Sequence, residues 1–215
     1  MRDKPVAMKR RIEDSQSASI GLRAKTARAI AVVLGGQLDS PRVFKRVELK
    51  LADPAFPETS QPYHEVLDLP WGKAQVAVRK IATRIEKLAT KELARLVREA
   101  QAEGLIVSGV GIVGAGDRNL EKIGSTHIRA HAAEGVLFRE VLEVAAKAND
   151  LPNRRFDERN LDETAELELK LPIAKIKAQL AEMGRAAGSP WRADEKAAAT
   201  AAWLALAAHR REGSK

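Results

Sequence analysis

The stretch ASIGLRAKTARAIAVVLGG, residues 18–36, decides the fold. Ile20 and Leu22 alternate with small or polar neighbours, and Ile30 to Leu34 is a short apolar run with β-branched residues. Between them RAKTA, 23–27, is polar enough to turn, so the pattern predicts a β-hairpin closed by Gly35-Gly36. Arg23 and Lys25 stand two apart on the first strand and therefore share a face. Downstream, RVELKL (46–51) alternates strictly, with Val47, Leu49 and Leu51 on one side and Arg46, Glu48 and Lys50 on the other. That is a half-buried third strand.

Working outward, the proline-bearing stretch 52–72 (Pro54, Pro57, Pro62, Pro70) predicts a loop crossed by no regular element. From 72 to 103 the period changes. Ile81, Ile85, Leu88 and Leu96 form one stripe, with Ala89, Leu93 and Val97 beside it and Gly104 as the stop, which predicts a long amphipathic helix. The uncharged LIVSGVGIVG (105–114) reads as a central strand buried on both faces. A glycine-rich loop follows, and Ser125/Thr126 can cap a helix running to about Asn149. NRRFDE (153–158) reads as a short strand. Asn160 caps a helix to Leu169, Pro172 starts another that ends by Gly188, and Ser189-Pro190 opens a last Ala-rich helix to about His209. Three antiparallel strands followed by alternating helices and strands make an α/β fold: a mixed sheet with helices on both faces. A single domain is expected over 18–212, preceded by a disordered basic tail over 1–17.

The 215 residues carry a formal charge of +8 and a pI near 9.8, which favours an anionic partner. Seven basic residues against two acids fall between Gly21 and Lys50, so the first strands should contribute heavily to any anion-binding surface. The absence of cysteine excludes disulfides, thiolate zinc sites and cysteine nucleophiles. No run approaches the ~20 apolar residues of a membrane span, and the charged amino terminus is no signal peptide, so a cytoplasmic protein is expected. Aromatic residues make up only 4%, which argues against a base-stacking groove and places Trp191 and Trp203 in the core. The glycines of GVGIVGAGD do not lead directly into a helix with dinucleotide-binding spacing, and no G-x-S-x-G marks a nucleophile.

Three groups of residues carry chemistry. In THIRAHAAEG (126–135), His127, His131 and Glu134 fall at i, i+4 and i+7 on one helix face: a metal-binding stripe, a polar rim beside a nucleic-acid site, or solvated surface. Arg23 and Lys25 can grip phosphate, the guanidinium in bidentate fashion and the ammonium as a mobile point charge. In PWRADEK (190–196), Asp194 and Glu195 lie in the first turn of the last helix, where acids complement the exposed N–H groups and where they can also serve as metal ligands or a general base.

The order of elements resembles that of the ribonuclease-H-like fold. HIRAHAAEGVLFREVLEVAAKANDLP (127–152) together with RADEKAAATAAWLALAAH (192–209) resembles the second half of RuvC-type Holliday-junction resolvases. That resemblance implies three or four carboxylates converging on two magnesium ions, which activate water and stabilise the leaving oxygen. Here the first strand offers Arg23 or Lys25 where an aspartate is expected, and the fourth strand has no acid before Asp117 in the following loop. Only the last helix keeps the pattern, in Asp194 and Glu195. The resulting expectation is a protein that binds nucleic acid or another phosphate-bearing anion, with a degenerate or altered nuclease site. Its phosphate contacts would be Arg23, Lys25, Arg129, Arg192 and Lys196, and its acid–base residues His127, Asp194 and Glu195. One alternative is an active metal-dependent phosphodiesterase or nuclease that binds Mg, Mn or Zn through His127, His131, Glu134 and Asp194. Another is a scaffolding domain without catalysis. No membrane partner is expected, and a homodimer is compatible with the chain.

Overall fold

A computed structural model describes residues 17–212. The first strand, β1 (Ser17–Lys25), already includes Ser17; the rest of the expected tail, 1–16, lies outside the described residues. β1, β2 (Arg28–Gln37) and β3 (Ser40–Lys50) form an antiparallel meander. Its first turn is Thr26–Ala27, with Ala27 at φ 64°. Gly35 and Gly36 do not close this hairpin. They belong to β2, and the second turn falls at 38–39. A Cβ at position 35 would stand 2.8 Å from the Ser17 carbonyl oxygen, so a glycine there serves close packing rather than a turn. β3 also starts six residues before the alternating RVELKL, because a register shift at Val33/Leu34 lets the pairing continue to Ser40.

A loop with one short 3-10 turn (Pro57–Thr59) leads to α1 (Trp71–Ala102). β4 (Ile106–Gly114) pairs in parallel with β1, and α2 (Thr126–Ala148) connects it to β5 (Asn153–Asp157), which pairs in parallel with β4. Ser125 accepts the Ile128 N–H through its side chain and so caps α2. α3 (Leu161–Leu169) and α4 (Ile173–Ala187) precede the last helix, α5 (Ala193–Glu212). The sheet order is β3-β2-β1-β4-β5, which puts β1 in the centre.

Alternation along β1 sorts the two cores. Ala18, Ile20 and Leu22 pack with Ile85, Leu93 and Leu96 of α1 and Phe138 and Leu142 of α2. On the opposite face, α3, α4 and α5 cover Val32, Leu34 and Val113. α5 is Ala-rich because it lies directly on the strands: a Cβ at Gly21 would stand 1.7 Å from the Ala198 carbonyl oxygen, and one at Gly111 would stand 2.2 Å from that of Ala201. Trp203 fills the same core, with its indole N–H donated to the Leu38 carbonyl at 3.0 Å. Among the described residues, no helix is long and apolar enough to cross a membrane.

Candidate functional site

β1, β4 and β5 are parallel, so their carboxyl ends reach one edge of the sheet. Arg23 pairs with Val113, and Val113 with Phe156. Such an edge is where open α/β sheets place their ligand crevices. α5 begins over it, because Ser19, Gly21 and Arg23 all project to the α5 face; Ser19 bonds the Ala202 carbonyl from there.

At this edge Arg23 is only 7% exposed. Its Nη2 lies 2.6 Å from Glu158 Oε2, and its Nε donates to Asp194 Oδ1 at 3.4 Å. Lys25, one pleat further out, donates to the same Asp194 oxygen at 3.3 Å. Two cations and two carboxylates therefore form one network, and a buried guanidinium bridges the acids. Glu158 follows β5 in a short 3-10 turn, a position that no local sequence pattern singles out.

Glu195, the residue after Asp194, has a different partner. It is buried, and its Oε2 accepts the Arg192 N–H at 2.7 Å, closing the N-terminus of α5. Its place in the fold is that of a capping carboxylate, with one oxygen already committed. Arg192, just before α5, and Lys196, in its first turn, are exposed. Lys196 also lines a shallow cavity with Glu158, Asp162 and Thr200.

A second group lies beside the first, after the end of β4. Arg139 of α2 is almost wholly buried and donates to the Ala115 carbonyl and, at 2.6 Å, to Asp117 Oδ1. Arg155 reaches the other Asp117 oxygen at 3.1 Å. The hydrogen bond from Arg139, and then its charge, hold the Asp117 carboxyl below its ordinary value. Sequence reading passed over Arg139, although a lone cation within the apolar VLFREVL is a signal for a buried, partnered arginine.

The remaining expected residues lie on the α1/α2 face. Arg129 is not at the crevice: its Nε and Nη2 donate to the Ile123 carbonyl at 2.9 and 2.5 Å, and its guanidinium sits 5.4 Å from the Trp71 ring. It ties the loop before α2 to the body of the fold. His127, His131 and Glu134 are on α2, whereas Asp194 is on α5 across the sheet. The expected metal set His127, His131, Glu134 and Asp194 is therefore split, and so is the acid–base set His127, Asp194 and Glu195. The cause is simple: α2 and α5 cover opposite faces, so residues at their N-terminal turns point to different sides. Instead, His64 from the proline-bearing loop joins the two histidines. Nothing in local spacing connects His64 to them; it lies seventy positions from Glu134, whose carboxylate it meets.

No protein-family model matches the chain, and a search of curated proteins finds no match. Solved structures do match in shape. The RuvC structure of Thermus thermophilus superposes with a TM-score of 0.50 at 12% identity, covering 91% of this chain and 96% of that one. RuvC of T. thermophilus in complex with Holliday junction substrate gives a TM-score of 0.49 at 12% identity, covering 92% and 97%. The five-stranded mixed sheet with helices on both faces is thus the ribonuclease-H-like fold.

Proposed function

We propose that this protein binds nucleic acid through its phosphates, on a ribonuclease-H-like frame whose two-metal carboxylate centre has given way to a protein-borne cation. The observation that carries the reading is Arg23, buried at the carboxyl end of the central strand between Asp194 and Glu158. Two-metal catalysis needs carboxylate oxygens that converge on divalent ions. Here the guanidinium holds those oxygens itself and offers no lone pair to a metal. The network of Arg23, Lys25, Glu158 and Asp194 is neutral overall. Phosphate would instead meet the rim, where Lys25 is partly exposed and Arg192 and Lys196 are open to solvent. The net charge of +8 favours the same partner.

The test is an equilibrium titration of labelled duplex, single strand and four-way junction with the full chain, in a chelator-containing buffer across a range of salt. Binding that persists without divalent ions and weakens steeply with salt supports the reading, because phosphate neutralisation releases counterions. No retention at low salt, or a flat salt response, overturns it and leaves a scaffolding domain. Magnesium-dependent cleavage abolished by Asp194→Asn would replace it with an active nuclease.

A further inference from the structure

Three of the chain's four histidines meet on the α1/α2 face. One ring nitrogen each of His64, His127 and His131 lies within 4.8 Å of the other two. The Nε2 atoms of His127 and His131 are 3.1 Å apart. Two imidazole nitrogens bound tetrahedrally to one zinc at about 2.0–2.1 Å would stand about 3.3 Å apart, so the pair is already near ligand separation. The three rings meet edge to face, with centroids 4.4 to 5.1 Å apart.

What stands behind the rings matters more. Glu134 is fully buried, and its Oε1 lies 2.8 Å from His64 Nδ1. A carboxylate oxygen that accepts from Nδ1 leaves the neutral imidazole of His64 with its lone pair on Nε2. That Nε2 is buried and has no hydrogen-bond partner, on a side chain only 13% exposed. A buried acceptor without a donor opposite it is costly, and an electropositive occupant removes the cost.

We infer that His64, His127 and His131 bind one divalent cation of the zinc class, with Glu134 as the carboxylate that orients His64. The donor set selects the ion: imidazole suits Zn²⁺, Co²⁺, Ni²⁺ and Cu²⁺, whereas Mg²⁺ takes hard oxygen ligands. A carboxylate behind a ligating histidine fixes the tautomer and raises the basicity of the free nitrogen. His127 and His131 are exposed, so a fourth coordination position faces water. The ion would clasp the loop that follows β3 to the first two turns of α2. This site needs neither Arg23 nor Asp194, so it stands or falls apart from nucleic-acid binding.

The test uses the full chain without an affinity tag, stripped with a chelator and titrated with ZnCl₂, CoCl₂ or MgCl₂ alone. One Zn²⁺ per chain is expected, along with visible Co²⁺ bands of four-coordinate intensity and a rise in Tm that Mg²⁺ does not produce. His64→Ala and His131→Ala should each weaken zinc by more than about 100-fold, and Glu134→Gln by about tenfold. His209→Ala, the remaining histidine, should leave affinity unchanged. Because His131 is exposed, its substitution leaves the core intact and keeps the test decisive if His64→Ala fails to fold. No binding at micromolar zinc, or affinity unchanged in either His64→Ala or His131→Ala, overturns the inference.

Discussion

Arg23 stands at the point where the residue scale decides the chemistry. Its guanidinium is almost wholly buried and bridges Asp194 and Glu158, so replacing it by an acid should reverse the local logic. In Arg23→Asp, three carboxylates would face one another at the end of β1 with Lys25 as the one cation left in the network, costing about 3 kcal/mol of stability. Millimolar Mg²⁺ should then raise the Tm of the variant and leave that of the parent unchanged, which thermal unfolding with and without MgCl₂ would show. An equal response in both proteins would mean that the guanidinium does not fill a cation's place. Asp117 makes a smaller statement. Its folded pKa is held below the ordinary 3.8 by the hydrogen bond and charge of Arg139, so the native state binds fewer protons there than the unfolded chain. The ion pair contributes fully above the unfolded value and is lost as pH falls through the folded one. Asp117→Asn should therefore lower Tm near neutrality, with the two melting curves converging as pH falls through the folded value of Asp117. The effect will be modest because the carboxylate is largely exposed. Both the cation in the first strand and Asp117 after the fourth were legible in the sequence. Glu158 was not, because its partner lies 135 positions away and only the closed sheet joins them.

At the scale of elements, periodicity was the readable signal and tertiary contact the unreadable one. Val47, Leu49 and Leu51 announce β3 by alternation, but the strand's earlier half, SPRVFK, does not alternate cleanly because a register shift at Val33/Leu34 changes which residues face inward. The stripe of α1 was visible as well. Its buried line runs through Val78, Ala82, Ile85, Ala89, Leu93 and Leu96, so Ile81 and Leu88 flank the interface rather than centre it. α5 is the element whose composition has the plainest physical cause. Alanines face glycines because the helix backbone rests on the sheet, and Gly21 is the tightest point, with the Ala198 carbonyl 1.7 Å from where a Cβ would lie. Backbone must shift to admit a methyl there. Gly21→Ala should destabilise the fold by about 3 kcal/mol, at the upper end of overpacking costs, measured by denaturant unfolding. Gly72→Ala is the control: nothing lies within 4 Å of its added Cβ, and the substitution in the first turn of α1 should be neutral or slightly stabilising. Equal losses in the two variants would remove close helix–sheet packing as the cause.

At the scale of the whole molecule, the two faces of the sheet hold separate polar centres, and charge decides which of them meets an anion. The histidine cluster is backed by a carboxylate, whereas the carboxyl edge carries cations at its rim. Of the five residues expected to grip phosphate, Arg23 is buried in ion pairs and Arg129 is spent on the Ile123 carbonyl. Lys25, Arg192 and Lys196 remain to meet solvent. If those three neutralise three phosphates of a duplex, the slope of log K against log salt should be about −2.7. Affinity should then fall roughly 40-fold as salt rises from about 50 to about 200 mM. The double substitution Arg192→Ala with Lys196→Ala should flatten that slope to about −0.9, because each phosphate contact removed takes one counterion release with it. The loss should be similar across sequences, since phosphate contacts position a duplex without reading its bases. Anisotropy titrations at several salt concentrations measure both quantities. A slope unchanged by the double substitution would place the anion-binding surface elsewhere, and the strongly basic segment between Gly21 and Lys50, whose Arg42 and Lys50 lie exposed on β3, would be the next to substitute.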